Sequence, residues 1–323
     1  MTVMRAEASS ARPHAKYDRL IAAARTVPAV ETVVVYPCDE TSLRGVVDSA
    51  KVGIIRPVLV GPQARMRAVA AEHGLDISKF EIVDAGHSED AAAKGVELVH
   101  AARGGMLMKG SLHTDELMRS VTAKATGLRT ARRISHVFIM DVPAYTETLL
   151  ITDAAINIFP DLDGKRDIVQ NAIDLFNEAG FGTLPRVALL SAVETVTAKI
   201  PSTIEAAALC KMAERGQITG GLLDGPLAFD NAIDREAARI KKIKSEVAGR
   251  AQILVVPDLE AGNMLAKNLA YLAHADSAGI VLGARVPIVL TSRADSPRAR
   301  IASCAVAALY ADAQRRRAPA SVA

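Results

Sequence analysis

The stretch from Val286 to Pro297 reads VPIVLTSRADSP and joins two kinds of secondary structure. Its first half, around Ile288–Leu290, is an apolar, β-branched run that is typical of a buried strand. Its second half ends in Ser296-Pro297, which places a favourable N-cap directly before a proline at the first helical position. The stretch therefore predicts a strand, a short polar loop and the start of a helix, which is the repeating unit of an α/β fold.

The same alternation extends along the whole chain. Short apolar runs predict strands at Thr32–Tyr36, Pro57–Val60, Phe80–Val83, Met106–Met108, Val137–Met140, Leu149–Ile151, Val187–Leu190, Ile253–Val256, Ile280–Leu282 and Ile288–Leu290. Longer amphipathic segments predict helices, among them Ser88–Ala102, Lys165–Ala179, Ser202–Arg215, Asn231–Val247 and Gly262–Ala273. This order predicts an α/β fold with mostly parallel sheets.

Composition sets limits on size and partners. The 323 residues exceed one ordinary core and fit two domains. Half of the residues are apolar but only 3% are aromatic, so small aliphatic side chains must build the core, as in parallel sheets. The net charge of +3 is too small and too scattered to predict nucleic-acid binding.

The cysteines and the apolar runs indicate a compartment. Cys38, Cys210 and Cys304 lie far apart and form no C-x-x-C pair, so we expect no disulfide framework, no metal site and a reducing environment. The N-terminal segment lacks an apolar signal region, and no apolar run approaches the length that spans a bilayer. We therefore expect a cytoplasmic protein without a membrane partner.

The loop of the opening stretch carries Ser292, Arg293 and Asp295 between strand and helix. Ligands of open α/β folds lie beyond the carboxyl ends of strands, and helix N-termini offer free N–H groups to anions. A guanidinium adds a planar fork that matches phosphate oxygens. The sequence thus predicts an anion site at this loop.

A second stretch, MLMKGSLHTDEL from Met106 to Leu117, follows the same logic. A buried strand ends at Lys109, which supplies a positive charge, and at Gly110, which allows close backbone approach. Thr114 is a candidate cap for the next helix, and Arg119 follows one turn into it. For His113, a capping or packing role is favoured over chemistry.

Several common nucleotide and hydrolase motifs are absent from the sequence. It contains no G-x-x-x-x-G-K-[ST], G-x-G-x-x-G, H-E-x-x-H or G-x-S-x-G pattern. This excludes the simplest nucleotide hydrolase, dinucleotide-binding, zinc protease and serine hydrolase interpretations.

The chain resembles the phosphate acetyl/butyryltransferase family over nearly its whole length. The resemblance rests on the order and spacing of KGSLHTDEL (109–117), ITDAAINIFPDLDGKRD (151–167), GLLDGPLAFD (221–230), VPDLEAGNMLAKNLAY (256–271) and PIVLTSRADS (287–296). It is greater to the butyryl-type branch, and to the transferase part of enoyl-CoA hydratase fusions, than to the acetyl branch.

The resemblance implies two α/β domains with a cleft between them, as in isocitrate and isopropylmalate dehydrogenases. The first domain would comprise residues 1–142 plus 279–323, and the second would comprise residues 143–278. The implied reaction is reversible transfer of a short acyl group, acetyl or butyryl, between coenzyme A and inorganic phosphate. Coenzyme A would be a substrate, no prosthetic group or metal would be needed, and the protein would be a homodimer.

The resemblance also implies roles for the residues of both loops. Arg293 would hold the phosphate of the acyl phosphate, and Ser292 would donate a hydrogen bond near the thiol or the developing oxyanion. The acetyl branch has a base aspartate in the last helix, where this chain offers Ala299 or Arg300. Asp295 is the only carboxylate of this loop, and it would either accept the thiol proton or orient Arg293. The implied phosphate-binding set is Lys109, Gly110, Ser111, Thr114, Arg119 and Ser296.

Two alternatives stay open at this point. An oxidoreductase of the isopropylmalate dehydrogenase type shares the architecture, but it needs a divalent metal held by several aspartates, and no such set is evident. A catalytically idle, coenzyme A-binding subunit is favoured only by the missing helix aspartate. The Ser292-Arg293 pair and the Lys109–Ser111 loop speak against it.

Overall fold

The structure is a computed structural model that describes residues 15–291 and 295–317. It is a mixed α/β fold built on an 11-stranded sheet. The strands are β1 (Val30–Val35), β2 (Ile55–Gly61), β3 (Glu81–Asp84), β4 (Met106–Lys109), β5 (Ser135–Asp141), β6 (Leu149–Thr152), β7 (Arg186–Leu190), β8 (Leu222–Leu227), β9 (Ile253–Val255), β10 (Asp276–Leu282) and β11 (Ile288–Val289).

Helices follow most of the strands, as a parallel sheet requires. They are α1 (Ala15–Ala24), α2 (Glu40–Lys51), α3 (Gln63–Glu72), α4 (Ser88–His100), α5 (Thr114–Thr122), α6 (Leu162–Glu178), α7 (Pro201–Glu214), α8 (Phe229–Ile233), α9 (Arg235–Ile240), α10 (Leu259–Leu272) and α11 (Pro297–Arg317). In the described ranges, no helix combines the length and the apolar character needed to cross a bilayer.

The order of strands across the sheet is β3-β2-β1-β4-β11-β10-β5-β6-β9-β7-β8. The outer parts of the sheet pair in parallel on both sides. In the middle, β10 runs antiparallel to both β11 and β5, and β5 runs antiparallel to β6. The predicted α/β class with mostly parallel pairing is therefore confirmed, and one continuous sheet passes through both halves of the chain.

The two faces of the sheet are covered differently. On one face α1, α2, α6, α7 and α11 bury residues such as Val34, Met108 and Ile139 in the largest core cluster. On the other face α4 and α5 pack over residues such as Leu107, while α10 packs over the half that contains Met140. The helices of this second face thus form two groups, one on each half of the sheet.

Two segments differ from the sequence predictions. The predicted helix Asn231–Val247 is wrong: it is replaced by the short helices α8 and α9, because Asp234 is extended and its side chain caps α9 by accepting from the Ala237 amide. Strand β8 was not predicted, since its sequence LLDGPL contains Asp-Gly-Pro, which is typical of turns. Its place at the edge of the sheet accommodates the proline.

Candidate active site

A cleft made of two cavities lies over β5 and β10, on the face that α5 and α10 share. The larger cavity, of about 410 Å³, borders the start of α5. Its lining residues are Lys109, Leu112, His113, Thr114, His136, Phe138, Ala155, Ser277, Gly279, Leu290, Thr291 and Asp295. Residues from β4, β5, β10 and the segment that follows β11 meet here, although they are far apart in the sequence.

The smaller cavity, of about 290 Å³, borders α10. Its lining residues are Phe138, Ala266, Lys267, Ala270, Tyr271, Ala275, Asp276, Ser277, Asp295, Ser296 and Ala299. Phe138, Ser277 and Asp295 line both cavities, so the two spaces are adjacent. The cleft can therefore hold one ligand against α5 and a second ligand against α10.

Lys109 ends β4 and lies in the larger cavity with only 9% of its surface exposed. Its ammonium group donates to the carbonyl oxygens of Gly110 at 3.2 Å and Leu112 at 3.0 Å. The lysine thus brings positive charge into a largely buried space, which suits an anionic ligand.

Gly110 and Ser111 support this loop from behind. A Cβ on Gly110 would lie 2.5 Å from the backbone of Tyr36, so the glycine is needed for close packing of β4 against the end of β1. The Ser111 hydroxyl donates to the Tyr36 carbonyl and accepts from the Cys38 amide. Both predicted site residues therefore hold the backbone beside Lys109, and neither lines the cavity.

Thr114 and Arg119 lie on different sides of α5. Thr114 is the first residue of the helix and lines the larger cavity. A capping box precedes it, in which the His113 amide donates to the Glu116 carboxylate at 2.8 Å. Arg119 instead pairs with Glu89 at 3.2 Å, is 68% exposed, and lines a separate groove against α4. The structure brings Thr114 to Lys109 but leaves Arg119 outside the cleft.

The loop of the opening stretch borders the cleft at both of its described ends. Ser292 and Arg293 lie outside the described residues. Thr291 precedes them and lines the larger cavity, and Asp295 follows them and lines both cavities. Ser296 caps α11, as predicted: its hydroxyl accepts from the Ala299 amide at 3.1 Å, and the helix begins at Pro297.

His136 belongs to the cavity wall, although the sequence reasoning did not select it. The residue is 2% exposed, and its ring meets Phe138 edge-on with 4.4 Å between ring centroids. Burial lowers the pKa of His136 to about 4, and the nearby Asp153 carboxylate opposes that shift. The sequence does place His136 two residues before Phe138 of a predicted strand, so both side chains lie on one face of the sheet. It does not reveal which face of the strand borders a cavity.

The segment after β6 is fixed by Asp153, which is also buried. Its carboxylate accepts from the amides of Ala155, Ile156 and Asn157, at 3.0, 3.1 and 3.2 Å. Four donors, including the Asn157 side chain, satisfy this buried charge. The turn so formed presents Ala155 to the larger cavity.

Within the described ranges, no group of three or more His, Cys, Asp and Glu side chains could hold a metal ion. The cleft instead combines an ammonium, hydroxyls, a neutral imidazole and a carboxylate. Such groups can bind an oxyanion, donate to a polarised oxygen and accept a proton. The arrangement suits transfer of a group between two ligands.

Comparison with known proteins agrees with this chemistry. The family described as Phosphate acetyl/butaryl transferase matches residues 86–308. The phosphate acetyltransferase of Rhizobium meliloti is 74% identical over 300 residues, which cover 93% of this chain and 95% of that protein.

Solved structures share the architecture. The branched-chain phosphotransacylase of Enterococcus faecalis V583 superposes with a TM-score of 0.76 at 28% identity, over 87% of this chain and 99% of its own. The 4-hydroxythreonine-4-phosphate dehydrogenase of Klebsiella pneumoniae has a TM-score of 0.53 at 12% identity, over 88% and 99%, so the likeness to that dehydrogenase is one of fold alone. By the extent of the family match and by a relative that is 74% identical, the chain belongs to the phosphate acetyl/butyryl transferase family.

Proposed function

We propose that this protein transfers an acetyl group reversibly between coenzyme A and inorganic phosphate in the cleft over β5 and β10. Membership of the family makes it an acyltransferase that acts on acyl-coenzyme A and phosphate. The observation that carries the proposal for the site is the pair of adjoining cavities that share Phe138, Ser277 and Asp295. An acyl group passing between two substrates needs such a shared boundary.

The larger cavity is the proposed phosphate side. Lys109 and Thr114 supply an ammonium group and a hydroxyl at the start of α5, where the helix dipole also favours negative charge. Ser292 and Arg293 remain proposed residues of the same site. Their neighbours Thr291 and Asp295 both line this cavity, which supports that placement.

The smaller cavity is the proposed entrance for the coenzyme A thiol. It is lined by Lys267 and Tyr271 of α10, which offer a cation and an aromatic face to the arm of the coenzyme. In the direction that consumes acyl phosphate, the thiol loses its proton and the sulfur attacks the acyl carbon. A C–S bond forms, the bond from the acyl carbon to the phosphate oxygen breaks, and phosphate leaves with the electron pair.

Asp295 is the proposed base for the thiol proton. It is the carboxylate that borders both cavities and follows the Ser292-Arg293 pair directly. Where the resemblance places the base aspartate of the acetyl branch, this chain has Ala299 or Arg300, and Ala299 lines the smaller cavity. A thiol of ordinary pKa, about 8.5, needs only modest help near neutral pH.

The acetyl preference is supported by the relatives. The protein that is 74% identical is named for acetyl transfer, whereas the branched-chain enzyme is only 28% identical. One methylene changes the discrimination between acyl groups by about 1–3 kcal/mol, so related pockets can differ in preference. Rates with acetyl-, propionyl-, butyryl- and isovaleryl-CoA test this directly, and a kcat/KM that peaks at butyryl-CoA would reverse the assignment.

The activity itself is tested with purified protein, acetyl-CoA and phosphate. We expect phosphate-dependent release of free coenzyme A thiol, with acetyl phosphate trapped as its hydroxamate. Binding of coenzyme A without thiol release from any short acyl-CoA would favour the idle subunit. Reduction of NAD with a 2-hydroxy diacid and Mg²⁺ would favour the dehydrogenase.

The protein's own thiols should not disturb a thiol assay near neutral pH. Burial raises the pKa of Cys38 and Cys304 to about 11 and that of Cys210 to about 12. A thiol with such a pKa is almost wholly protonated and reacts slowly with disulfide reagents. These unpaired cysteines also support the proposed location in the reducing cytoplasm.

We further propose that residues 1–142 with 279–323, and residues 143–278, act as two lobes on either side of the cleft. The antiparallel strands β5 and β10 lie at the boundary, which supports this division. A homodimer is proposed as well. Its support is the pair of exposed apolar side chains on α10, Met264 and Leu272, at a helical spacing of eight residues.

A further inference from the structure

His136, in the wall of the larger cavity, has one ring nitrogen without a hydrogen-bond partner in the part of the chain that the structure describes. Nδ1 of His136 is fully buried and has no hydrogen-bond partner among the described residues. Most buried polar side chains are hydrogen-bonded, and an unsatisfied one costs free energy. A histidine that is 2% exposed and lines a cavity in this state is suited to a role with a ligand.

Gly279 makes room for this ring. In the neighbouring strand β10, a Cβ at position 279 would lie 2.8 Å from Nε2 of His136. Glycine inside a strand ordinarily weakens it and often marks a close approach. Here it allows the Nε2 edge of the imidazole to lie across β10, where Gly279 itself lines the larger cavity.

Burial keeps the ring neutral, and the missing partner at Nδ1 indicates which nitrogen carries the proton. The imidazole is neutral near pH 7, because burial holds its pKa well below that value, so it has one N–H group. A buried N–H without a partner is rarer in proteins than an unpaired acceptor. Nδ1 is therefore the bare acceptor, and Nε2 carries the proton on the edge that faces Gly279.

The position of this donor relates to both proposed substrates. Phe138, two residues further along β5, is shared by the two cavities, and Gly279 is paired with Phe138 in the register of β5 and β10. With phosphate beside Lys109 and the thiol arriving past Ser277, the acyl carbon lies over this part of the floor. Its carbonyl oxygen gains negative charge when the thiol sulfur attacks.

We propose that His136 is a catalytic residue whose Nε2–H donates a hydrogen bond to the acyl carbonyl oxygen as that oxygen becomes negative. The inference rests on the proposed function of the cleft. A neutral imidazole suits this task, because it remains a donor and does not transfer its proton. The bond strengthens in the transition state, so it accelerates the chemical step more than it tightens binding.

Kinetics of two substitutions test the role. His136→Leu removes the donor and should lower kcat by roughly 10²–10³-fold, as for other single oxyanion donors. The KM values for phosphate and coenzyme A should stay within about threefold. In His136→Gln, the amide nitrogen can reach the Nε2 position. The kcat of this variant should be at least about tenfold higher than that of His136→Leu. His100→Gln, at a ring bonded to the Thr126 carbonyl, is the matched control.

Two kinetic outcomes would overturn the proposal. One is a kcat for His136→Leu within about threefold of the wild-type value. The other is an unchanged kcat with a raised KM for phosphate, which would make His136 a phosphate-binding residue. The melting temperature and the coenzyme A dissociation constant of each variant show whether the fold is intact.

A measurement on the unchanged protein avoids dependence on the variants. With ¹⁵N-labelled histidine, the ring signals of His136 should show the Nε2-protonated tautomer at pH 7. Acetyl-CoA should shift the Nε2 signal, and coenzyme A alone should shift it much less. Equal shifts, or the Nδ1-protonated tautomer, would refute the role.

The two hypotheses fail in different ways. Absence of phosphate-dependent thiol release by the wild type would refute the proposed function, while the ring signals still report whether the acetyl group meets His136. An active wild type with an unaffected His136→Leu variant would refute only the inference.

Discussion

Lys109 shows how one side chain acquires a role from its surroundings. Its ammonium group is held by two backbone carbonyls at the end of β4, so the charge stays in the larger cavity instead of reaching solvent. Arg119 is also a cation on this side of the sheet, yet it is mostly exposed and paired with Glu89. Exposed pairs of this kind contribute little to stability or binding.

Substitution of Lys109 should therefore weaken the handling of phosphate. For Lys109→Met we expect kcat/KM for phosphate to fall by roughly 10²-fold, by analogy with the loss of one preorganised donor. The dissociation constant for coenzyme A should change little. Steady-state kinetics with phosphate as the varied substrate measure this, with the surface variant Lys94→Met as control. A selective loss of coenzyme A binding would contradict the assignment.

Asp295→Asn tests the proposed base. In the direction that consumes acetyl phosphate, kcat should fall by about 10²–10⁴-fold near pH 6, the range for general base catalysis. The deficit should shrink toward pH 9, where the free thiol, with a pKa of about 8.5, ionises without help. The pH–rate profiles of both proteins decide the matter. A constant deficit across that range would point instead to a role in orienting Arg293.

His136 should make stability depend on pH. Its pKa is about 4 in the folded protein and near 6.5 in the unfolded chain, so between these values the unfolded state binds the extra proton. Stability is therefore full above pH 6.5 and falls as pH drops toward 4, by at most about 1.4 kcal/mol per pH unit for one proton.

Replacement of the His136 ring should remove this pH-dependent contribution to the free energy of unfolding. Denaturant unfolding of His136→Leu between pH 7 and 4 should show a shallower loss of stability than the wild type. Asp153 near the ring, and Lys109 and Asp295 in the cavity, are retained in the variant, so the difference reports the histidine. Parallel stability curves for the two proteins would contradict the buried, neutral state.

At the scale of elements, α11 links the cleft to the opposite face of the sheet. Its start carries the loop that borders both cavities, and its length packs against α1, α2 and β10. The Ser296 hydroxyl satisfies the Ala299 amide, and Pro297 has no amide proton that needs a partner. The start of the helix is thus specified by two adjacent residues.

Ser296→Ala should lower the free energy of unfolding by about 1 kcal/mol, the usual effect of losing an N-cap. Ser296→Asp should retain most of the stability, because aspartate caps as well as serine does. Chemical denaturation of the three proteins compares these values. An alanine variant as stable as the wild type would show that the cap contributes nothing here.

For the whole molecule, the exposed face of α10 is the feature that a second copy would cover. Met264 and Leu272 are 61% and 78% exposed. The start of α10 is bonded to the Ile158 carbonyl, and Ile158 and Phe159 are exposed as well. Exposed apolar side chains of this kind are characteristic of protein interfaces.

We expect light scattering to give about twice the chain mass of 34.1 kDa for the wild type. Leu272→Glu combined with Met264→Glu should shift the protein toward the monomer, because charges are costly at the core of an interface. Lys241→Glu, on a different surface, is the control. A wild-type protein that remains monomeric at high concentration would refute the dimer.

The sequence by itself determined the local structure and the family. Apolar runs predicted most strands of the sheet, Ser296-Pro297 predicted the start of α11, and the motifs around Lys109 and Thr291 lie in two loops that border one cavity. These features depend on neighbouring residues, so they can be read from one segment at a time. Strand β8 was not predicted from the sequence, because its position at the edge of the sheet, and not its turn-like sequence, decides its conformation.

Only the tertiary structure decided which of these residues share a space. The strand order places β10 between β11 and β5, which brings Gly279 beside His136 and leaves a gap between the helices of the two halves. The packing of α5 against α4 also turns Arg119 away from Lys109 and toward Glu89. No local pattern contains this information, because a cavity forms where helices from distant parts of the chain leave the sheet uncovered.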